Sequence, residues 1–434
     1  MDIKDIRYIN ELDIKGKRLF IRVDLNVPLD ELGNITDDTR IRGILPTVNY
    51  ALDENAKVIL ASHMGRPKGK FNKELSMEPV AKRLRRLLKR NVIMTDDCIG
   101  DEVEKSIKDM DSDDVVLLEN LRFHAGEEKN DEKFAKKLAK LADVYVNDAF
   151  AVSHRVNASI SAITKFFVEC SAGFLMKKEL NYFFRAMENP ARPLVAIIGG
   201  AKVSTKLGAL QCLTKRVDKL VVGGGMAFTF LKALGCDIGK SLLEEKLIDT
   251  AYKILESARE RDVKIYLPVD CVVAEKFDPK AETKITTVQE IPKDWMALDI
   301  GPATTMLFSE ALQDAKTILW NGPMGAFEID AFSRGTYAMV SHIANSHALT
   351  IVGGGDTDVA VNKAGESSSM SYISTGGGAF INLLEGTPLP GIEALRIDSL
   401  SDQNVGSSSI EKAGSFNGQR IEPLDARMVE PSSC

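Results

Sequence analysis

The chain has 434 residues, too many for one ordinary hydrophobic core, so two or three domains are expected. Apolar residues make up 44%, charged residues 27%, and the formal net charge is −6, a globular and soluble balance unlike that of an electrostatic nucleic-acid binder. No apolar run approaches the roughly 20 residues of a membrane-spanning helix, and the charge-interrupted start MDIKDIRYINELDIKGKRLF is no secretory signal.

In chain order, RLFIRVDLNV (18–27), AKVILASHM (56–64), DVVLLENLRF (114–123) and ADVYVNDAFAV (142–152) read as buried strands ending in polar residues. Helix-patterned stretches such as SMEPVAKRLRRLLKR and NDEKFAKKLAKLA lie between them. Residues 173–189, GFLMKKELNYFFRAMEN, have helical periodicity closed by Pro190 and Pro193, and read as a helix bridging two domains. The rhythm then restarts with RPLVAIIGG, VDKLVVGGG, KIYLPVDCVVA, AKTILWNGPMG and ALTIVGGG. Short apolar strands alternating with helices predict parallel sheets covered on both faces. The expected fold is therefore α/β: two doubly wound parallel-sheet (Rossmann-like) domains joined by a helix and hinge, giving a bilobal molecule. The expected boundaries are 1–172, the interdomain helix 173–189, 190–390, a closing segment 391–397, and a flexible Ser/Gly/Pro-rich tail over 398–434. Cys98, Cys170, Cys212, Cys236, Cys271 and Cys434 are scattered without CxxC pairs, as are the five histidines. Their spacing indicates neither a zinc site nor a disulfide framework, and suits reduced thiols in a cytoplasmic protein.

Ligands of open parallel sheets bind beyond the carboxyl ends of the strands. In the first half those positions hold Asp24, Asn26, His63, Arg66, Arg122, His154 and Arg155, with Arg40 in the loop after the first strand. One such arginine would be an ordinary surface ion pair. Several converging from successive strands predict a small, multiply charged anion, because guanidinium forks match carboxylate and phosphate oxygens. In the second half the strand ends are glycine runs: Gly199–Gly200, Gly223–Gly225, Gly322 with Gly325, Gly353–Gly355 and Gly376–Gly378. Glycine lets backbone approach a ligand, and a helix start presents free N–H groups to phosphate, so five runs favour a nucleotide. Asp356 is then a candidate Mg²⁺ ligand or a helix cap, Thr357 offers a hydroxyl, and Glu328 can accept ribose hydroxyls. GGAKVSTK (199–206) departs from the P-loop spacing GxxxxGK[ST]. Its two lysines, Lys202 and Lys206, are expected at i and i+4 on one face of a helix.

RVDLNVP, SHMGRPKG, LENLRFHAGEEKND, GGAKVSTK, VGGGMAFTFLK, LWNGPMGAFE, VGGGDT and STGGGAFINLLEGTPLPGIEAL closely resemble, in order, the motifs of the phosphoglycerate kinase family, over residues 1 to about 397. The resemblance implies a bilobal enzyme that passes a phosphoryl group between 1,3-bisphosphoglycerate and ADP, giving 3-phosphoglycerate and ATP with Mg²⁺. It implies a phosphoglycerate site of Asp24, Leu25, Asn26, Arg40, His63, Met64, Gly65, Arg66, Arg122 and Arg155. It implies a nucleotide site of Gly200, Ala201, Lys202, Lys206, Gly224, Asn321, Pro323, Glu328, Gly354, Gly355, Asp356 and Thr357, with Asp356 on the metal. Arg40, Lys202 and the N-terminal glycines Gly376, Gly377 and Gly378 would meet the transferring group. The partners implied are small molecules only, with no nucleic acid or membrane, and a monomer. Three departures stand out: AVSHRVNAS (151–159) differs from the GTAHRAHAS of many members, with Asn157 replacing a histidine; Asp358 stands where a small residue is common; and the tail after about residue 397 has no counterpart in the usual family ending.

The acceptor carboxylate is ionised near neutral pH, so the chemistry needs positioning and charge neutralisation instead of a general base. A Rossmann dehydrogenase is disfavoured, since no GxGxxG with an acidic ribose partner follows a strand here. A non-catalytic bilobal anion-binding protein would explain the arginines but not the lysine pair, Asp356 and the glycine runs.

Overall fold

The computed structural model describes residues 5–396. The expected tail, 398–434, lies outside the described residues. The first lobe comprises β1 (Arg18–Val23), α1 (Thr39–Asp53), β2 (Lys57–Ala61), α2 (Glu78–Leu88), β3 (Val92–Met94), α3 (Asp101–Asp109), β4 (Val115–Leu117), α4 (Ala125–Glu128), α5 (Glu132–Ala139), β5 (Val144–Asp148) and β6 (Cys170–Ala172). Its six strands form one parallel sheet in the order β3-β4-β2-β1-β5-β6. Along β1 the pleat alternates: Leu19, Ile21 and Val23 enter one apolar cluster while Phe20 enters the other, so both faces of the sheet are covered. Arg22 falls on the Phe20 face and is also buried.

Helix α6 (Phe174–Met187) leads into the second lobe: β7 (Leu194–Ile198), α7 (Leu207–Leu213), β8 (Lys219–Val222), α8 (Ala227–Ala233), α9 (Ile248–Glu260), β9 (Lys264–Tyr266), β10 (Asp270–Ala274), β11 (Thr283–Thr287), β12 (Met296–Ile300), α10 (Pro302–Leu312), β13 (Thr317–Asn321), α11 (Arg334–Ala344), β14 (Leu349–Gly353), α12 (Gly355–Lys363), β15 (Tyr372–Ile373), α13 (Gly377–Leu384) and α14 (Pro390–Glu393). A second six-stranded parallel sheet has the order β15-β14-β13-β7-β8-β9. The run KIYLPVDCVVA, expected as one strand, is two. Pro268 has no N–H to continue the ladder; β9 stays in the parallel sheet, and β10 leaves for a separate antiparallel sheet, β11-β10-β12.

In each lobe the first strand is central, and a later strand joins on its other side. The switch points therefore fall between β1 and β5 and between β7 and β13, where α/β sheets bind ligands. Helix α6 packs against α1 and β5 on one side and β13 and β14 on the other. Its Met176, Leu180, Phe183 and Met187 extend a single apolar cluster from one lobe to the other. The chain then returns: the Gly391 N–H donates to Ser153 O at 2.8 Å, and Ile6 bridges Arg396 antiparallel, so α14 is attached to the first lobe.

Candidate active site

The first-lobe site grows from the turn after β1. Asp24, buried, accepts from Arg40 Nη1 at 2.6 Å and from the Asn26 N–H at 3.1 Å. Asn26 Oδ1 accepts from the Gly65 N–H at 2.9 Å, and Gly65 O accepts from Arg122 Nη1 at 2.7 Å. The Leu25 N–H donates to Ser62 Oγ at 2.9 Å, and Met64 O accepts from Asn120 Nδ2 at 2.7 Å, so Leu25 and Met64 contribute by fixing backbone. His63, buried, has Nδ1 3.4 Å from Arg22 Nη2 and 3.9 Å from Asp24 Oδ1. Arg155 Nε lies 3.3 Å from His154 Nε2. Arg66 is exposed.

The electrostatics report the convergence. Burial, then the fields of Arg22, Arg122, Arg155 and Arg40, push His63 well below its ordinary range. It stays neutral. Burial, then Arg155 and Arg22, bring Arg122 down to about 10. Four guanidinium groups held this close in a partly desolvated basin repel one another, and an anion relieves that repulsion.

Arg22 is the residue that sequence reading missed. Its Nε donates to Ser159 Oγ at 2.8 Å, and Ser159 in turn donates to Glu127 through Oγ at 2.6 Å and N–H at 3.0 Å. A charged residue inside an apolar strand was the available signal; its partners are remote in sequence. Asn157, the departure from the family pattern, is buried beside this network and donates to Glu127 O at 3.2 Å.

The second-lobe site is built of backbone. The Gly199 N–H donates to Asn321 O and the Gly200 N–H to Pro323 O, both at 2.9 Å, while the Gly224 N–H donates to Met324 O at 3.1 Å. A Cβ at Gly199 would lie 2.2 Å from Pro323 O, so only glycine permits this approach of the β7 and β13 loops. Asn321 Nδ2 donates to Gly353 O at 2.8 Å, and Thr357 Oγ1 accepts from the Gly322 N–H at 2.6 Å, tying the β13 loop to the start of α12. Gly354, in the left-handed region at φ 100°, caps α12. Ala201, Glu328, Gly355 and Asp356 are exposed at the rim.

The two lysines do not share a helical face. Gly200 has φ 106°, the Lys206 N–H bonds Val203 O, and Thr205 Oγ1 donates to Lys202 O, so a turn occupies 203–206 and α7 starts only at Leu207. Lys202 consequently projects to solvent, whereas Lys206 folds inward. Its Nζ donates to Gly199 O at 2.6 Å and Asn321 O at 2.9 Å. Burial lowers its pKa to about 8, opposed by Asp356.

The lobes meet beside α13. Phe150 of the first lobe fills the space a Cβ at Gly376 would need, 2.2 Å from its ring, and His154 Nε2 would lie 3.2 Å from a Cβ at Gly378. Glu179 of α6 accepts from Ser374 Oγ at 2.8 Å and from Thr375 through its N–H at 2.8 Å and Oγ1 at 2.7 Å, fixing the turn that delivers Gly376–Gly378. Asp358 on α12 accepts from Asn362 Nδ2 at 2.8 Å, and its carboxyl is pushed up by burial and by Asp37 and down by Arg40.

A basin of guanidinium groups facing glycine-headed helix starts across one cleft defines a bilobal α/β phosphotransferase. The chain belongs to the phosphoglycerate kinase family, whose model matches residues 9–387. The phosphoglycerate kinase of Geotalea uraniireducens is 67% identical over 391 residues, 90% of this chain and 98% of that protein; that of Geobacter metallireducens is 66% identical over the same shares. The solved phosphoglycerate kinase from Coxiella burnetii superposes with a TM-score of 0.80 at 42% identity, covering 90% of this chain and 98% of its own. The structure from Pyrococcus horikoshii OT3 gives 0.75 at 31% identity, covering 92% and 100%. The activity is that of a kinase, the phosphoryl transfer of glycolysis. No helix among the described residues is long and apolar enough to cross a membrane.

Proposed function

We propose that the first lobe holds 3-phosphoglycerate or 1,3-bisphosphoglycerate on Arg40, Arg122, Arg155 and the Asp24–Asn26 turn, with Arg66 reaching in from the rim. The second lobe holds ADP or ATP, its phosphates on Lys206 and the α12 start and its ribose on Glu328. The observation that supports this most is that the α12 and α13 starts stand together against the first lobe: the Gly355 N lies 4.0 Å from where a Cβ at Gly377 would stand, and His154 Nε2 lies 3.2 Å from one at Gly378. A group leaving a nucleotide at the α12 start would enter the basin directly.

The acceptor is a carboxylate, ionised before the reaction, and neutral His63 serves as a hydrogen-bond partner in place of a general base. Rate enhancement comes from charge: Arg40 and Lys202 with the free N–H groups of Gly377 and Gly378 stabilise the phosphoryl group in transit. Glu179 and Phe150 set where those N–H groups stand. Magnesium fits here because Asp356, exposed in the first turn of α12, forms no ion pair among the described residues, and the ion favours one or two carboxylates plus phosphate oxygens. Bound to Asp356, it would neutralise triphosphate charge. Closure about α6 brings the ligands together and excludes water. We place the enzyme in the cytoplasm as a monomer.

The test is a coupled assay of ADP release from Mg-ATP. Release that depends on 3-phosphoglycerate is expected. Folded protein without activity above background, or ATP hydrolysis indifferent to 3-phosphoglycerate, would overturn the reading.

A further inference from the structure

We propose that Asp97, Cys98 and His124, outside the substrate cleft, form a binding site for a zinc-class divalent cation. A carboxylate oxygen of Asp97, Sγ of Cys98 and a ring nitrogen of His124 all lie within 4.8 Å of one another. Tetrahedral zinc, with bonds of about 2.0–2.3 Å, gathers such atoms through side-chain movements on the order of 1 Å. A mixed O, S and N set selects zinc-class ions over magnesium, which prefers six oxygens.

The group is held in advance. Cys98 is fully buried, and its N–H donates to Asp97 Oδ1 at 2.6 Å. The same oxygen lies 2.6 Å from His124 Nε2, and the His124 ring stacks on Phe134 with centroids 5.2 Å apart. A cleft of about 550 Å³ lined by Asp96, Asp97, Asp101 and Glu102 borders the group on the Asp97 side, and His124 lines a second depression with Ile99 and Phe134. The acidic walls of the cleft concentrate cations at its mouth. Binding forms bonds to the Asp97 carboxylate, Cys98 sulfur and neutral His124 Nε2. The Cys98 S–H breaks and its proton leaves to solvent; the Nε2–H that His124 donates to Asp97 in the ion-free protein breaks too, and Nδ1 takes up a proton from solvent in exchange, so one proton is released in total. Carboxylate and thiolate then balance the dication, leaving the fourth position for water. His124 directly follows the turn Leu121–Phe123, so a bound ion would brace the segment that carries Arg122.

The experiment uses the full chain after chelator treatment and dialysis, titrated with Zn²⁺ by calorimetry and with Co²⁺ as an optical probe. One equivalent should bind, Tm should rise, and a thiolate-to-cobalt charge-transfer band should appear. Cys98→Ser should abolish the band; Asp97→Asn and His124→Gln, at partly exposed positions that spare the core, should each weaken Zn²⁺ at least about tenfold. A missing band, a band that survives Cys98→Ser, or Zn²⁺ affinity unchanged in both other variants would overturn the proposal.

Discussion

The two lobes are each built on a six-stranded parallel sheet with its first strand at the centre, yet their candidate sites are made of different groups. The first lobe uses side chains: Arg22, Arg40, Arg122 and Arg155 surround His63, steadied by Asp24 and Glu127. The second uses backbone, with glycine loops brought so close that Gly199 and Gly322 admit no side chain, and one inward lysine. The contrast suits the ligands proposed for the two lobes. A compact acid with charge at both ends is matched by guanidinium forks, whereas an extended polyphosphate is matched by a row of N–H groups. The cost also falls differently. Crowded cations strain the first site electrostatically; close packing constrains the second sterically.

Four substitutions or titrations probe this division, beginning with the greatest effect. Lys202→Ala should lower turnover by about 10²–10⁵-fold, as for other cations that meet a transferring group, with the nucleotide Kd near normal. Steady-state kinetics and nucleotide titration check it; weakened binding with unchanged turnover would reassign Lys202 to ground-state recognition. Arg22→Met should cost about 3–5 kcal/mol in chemical denaturation, since it leaves Glu127 buried without its cation. A loss within experimental error would show the network to be dispensable. Gly376→Ala should cost about 1–3 kcal/mol, because its Cβ meets the Phe150 ring. Its kcat should drop, and Phe150→Leu in the same chain should recover part of both losses.

The remaining test is a pH dependence. Lys206 has a folded pKa of about 8, against 10.5 for an unperturbed lysine. Between those values the unfolded chain binds more protons, so the stability of the ligand-free protein should rise with pH across this window. Nucleotide affinity should fall over the same range as Lys206 loses its charge. Denaturation and nucleotide titrations at several pH values check both slopes, and Lys206→Met should flatten them. Two slopes of the same sign would contradict this assignment.

Much of this was legible in the sequence, because the information was local. Apolar runs ending in arginine, histidine or glycine mark strand ends, and the lobes follow from their alternation. The family motifs carry the identity of the reaction. What escaped depends on distant parts of the chain. Nothing near Arg22 tells that Ser159 and Glu127 will enclose it. Lys202 and Lys206 have helical spacing, but the positive φ of Gly200 and the turn at Val203 postpone the helix, separating an exposed lysine from a buried one. Pro268 was visible in KIYLPVDCVVA, yet it breaks an apolar run that otherwise reads as continuous. Cys98 and His124 meet only after β3, β4 and the following turn have assembled.

The separation of the sites is tested most directly by calorimetry of both ligands against Arg122→Ala and Lys206→Ala. Arg122→Ala should weaken 3-phosphoglycerate by about tenfold or more, the worth of a charge-assisted hydrogen bond, and leave nucleotide affinity near normal. Lys206→Ala should do the reverse. Comparable loss of both ligands in either variant would contradict a side-chain site and a backbone site that bind independently before closure.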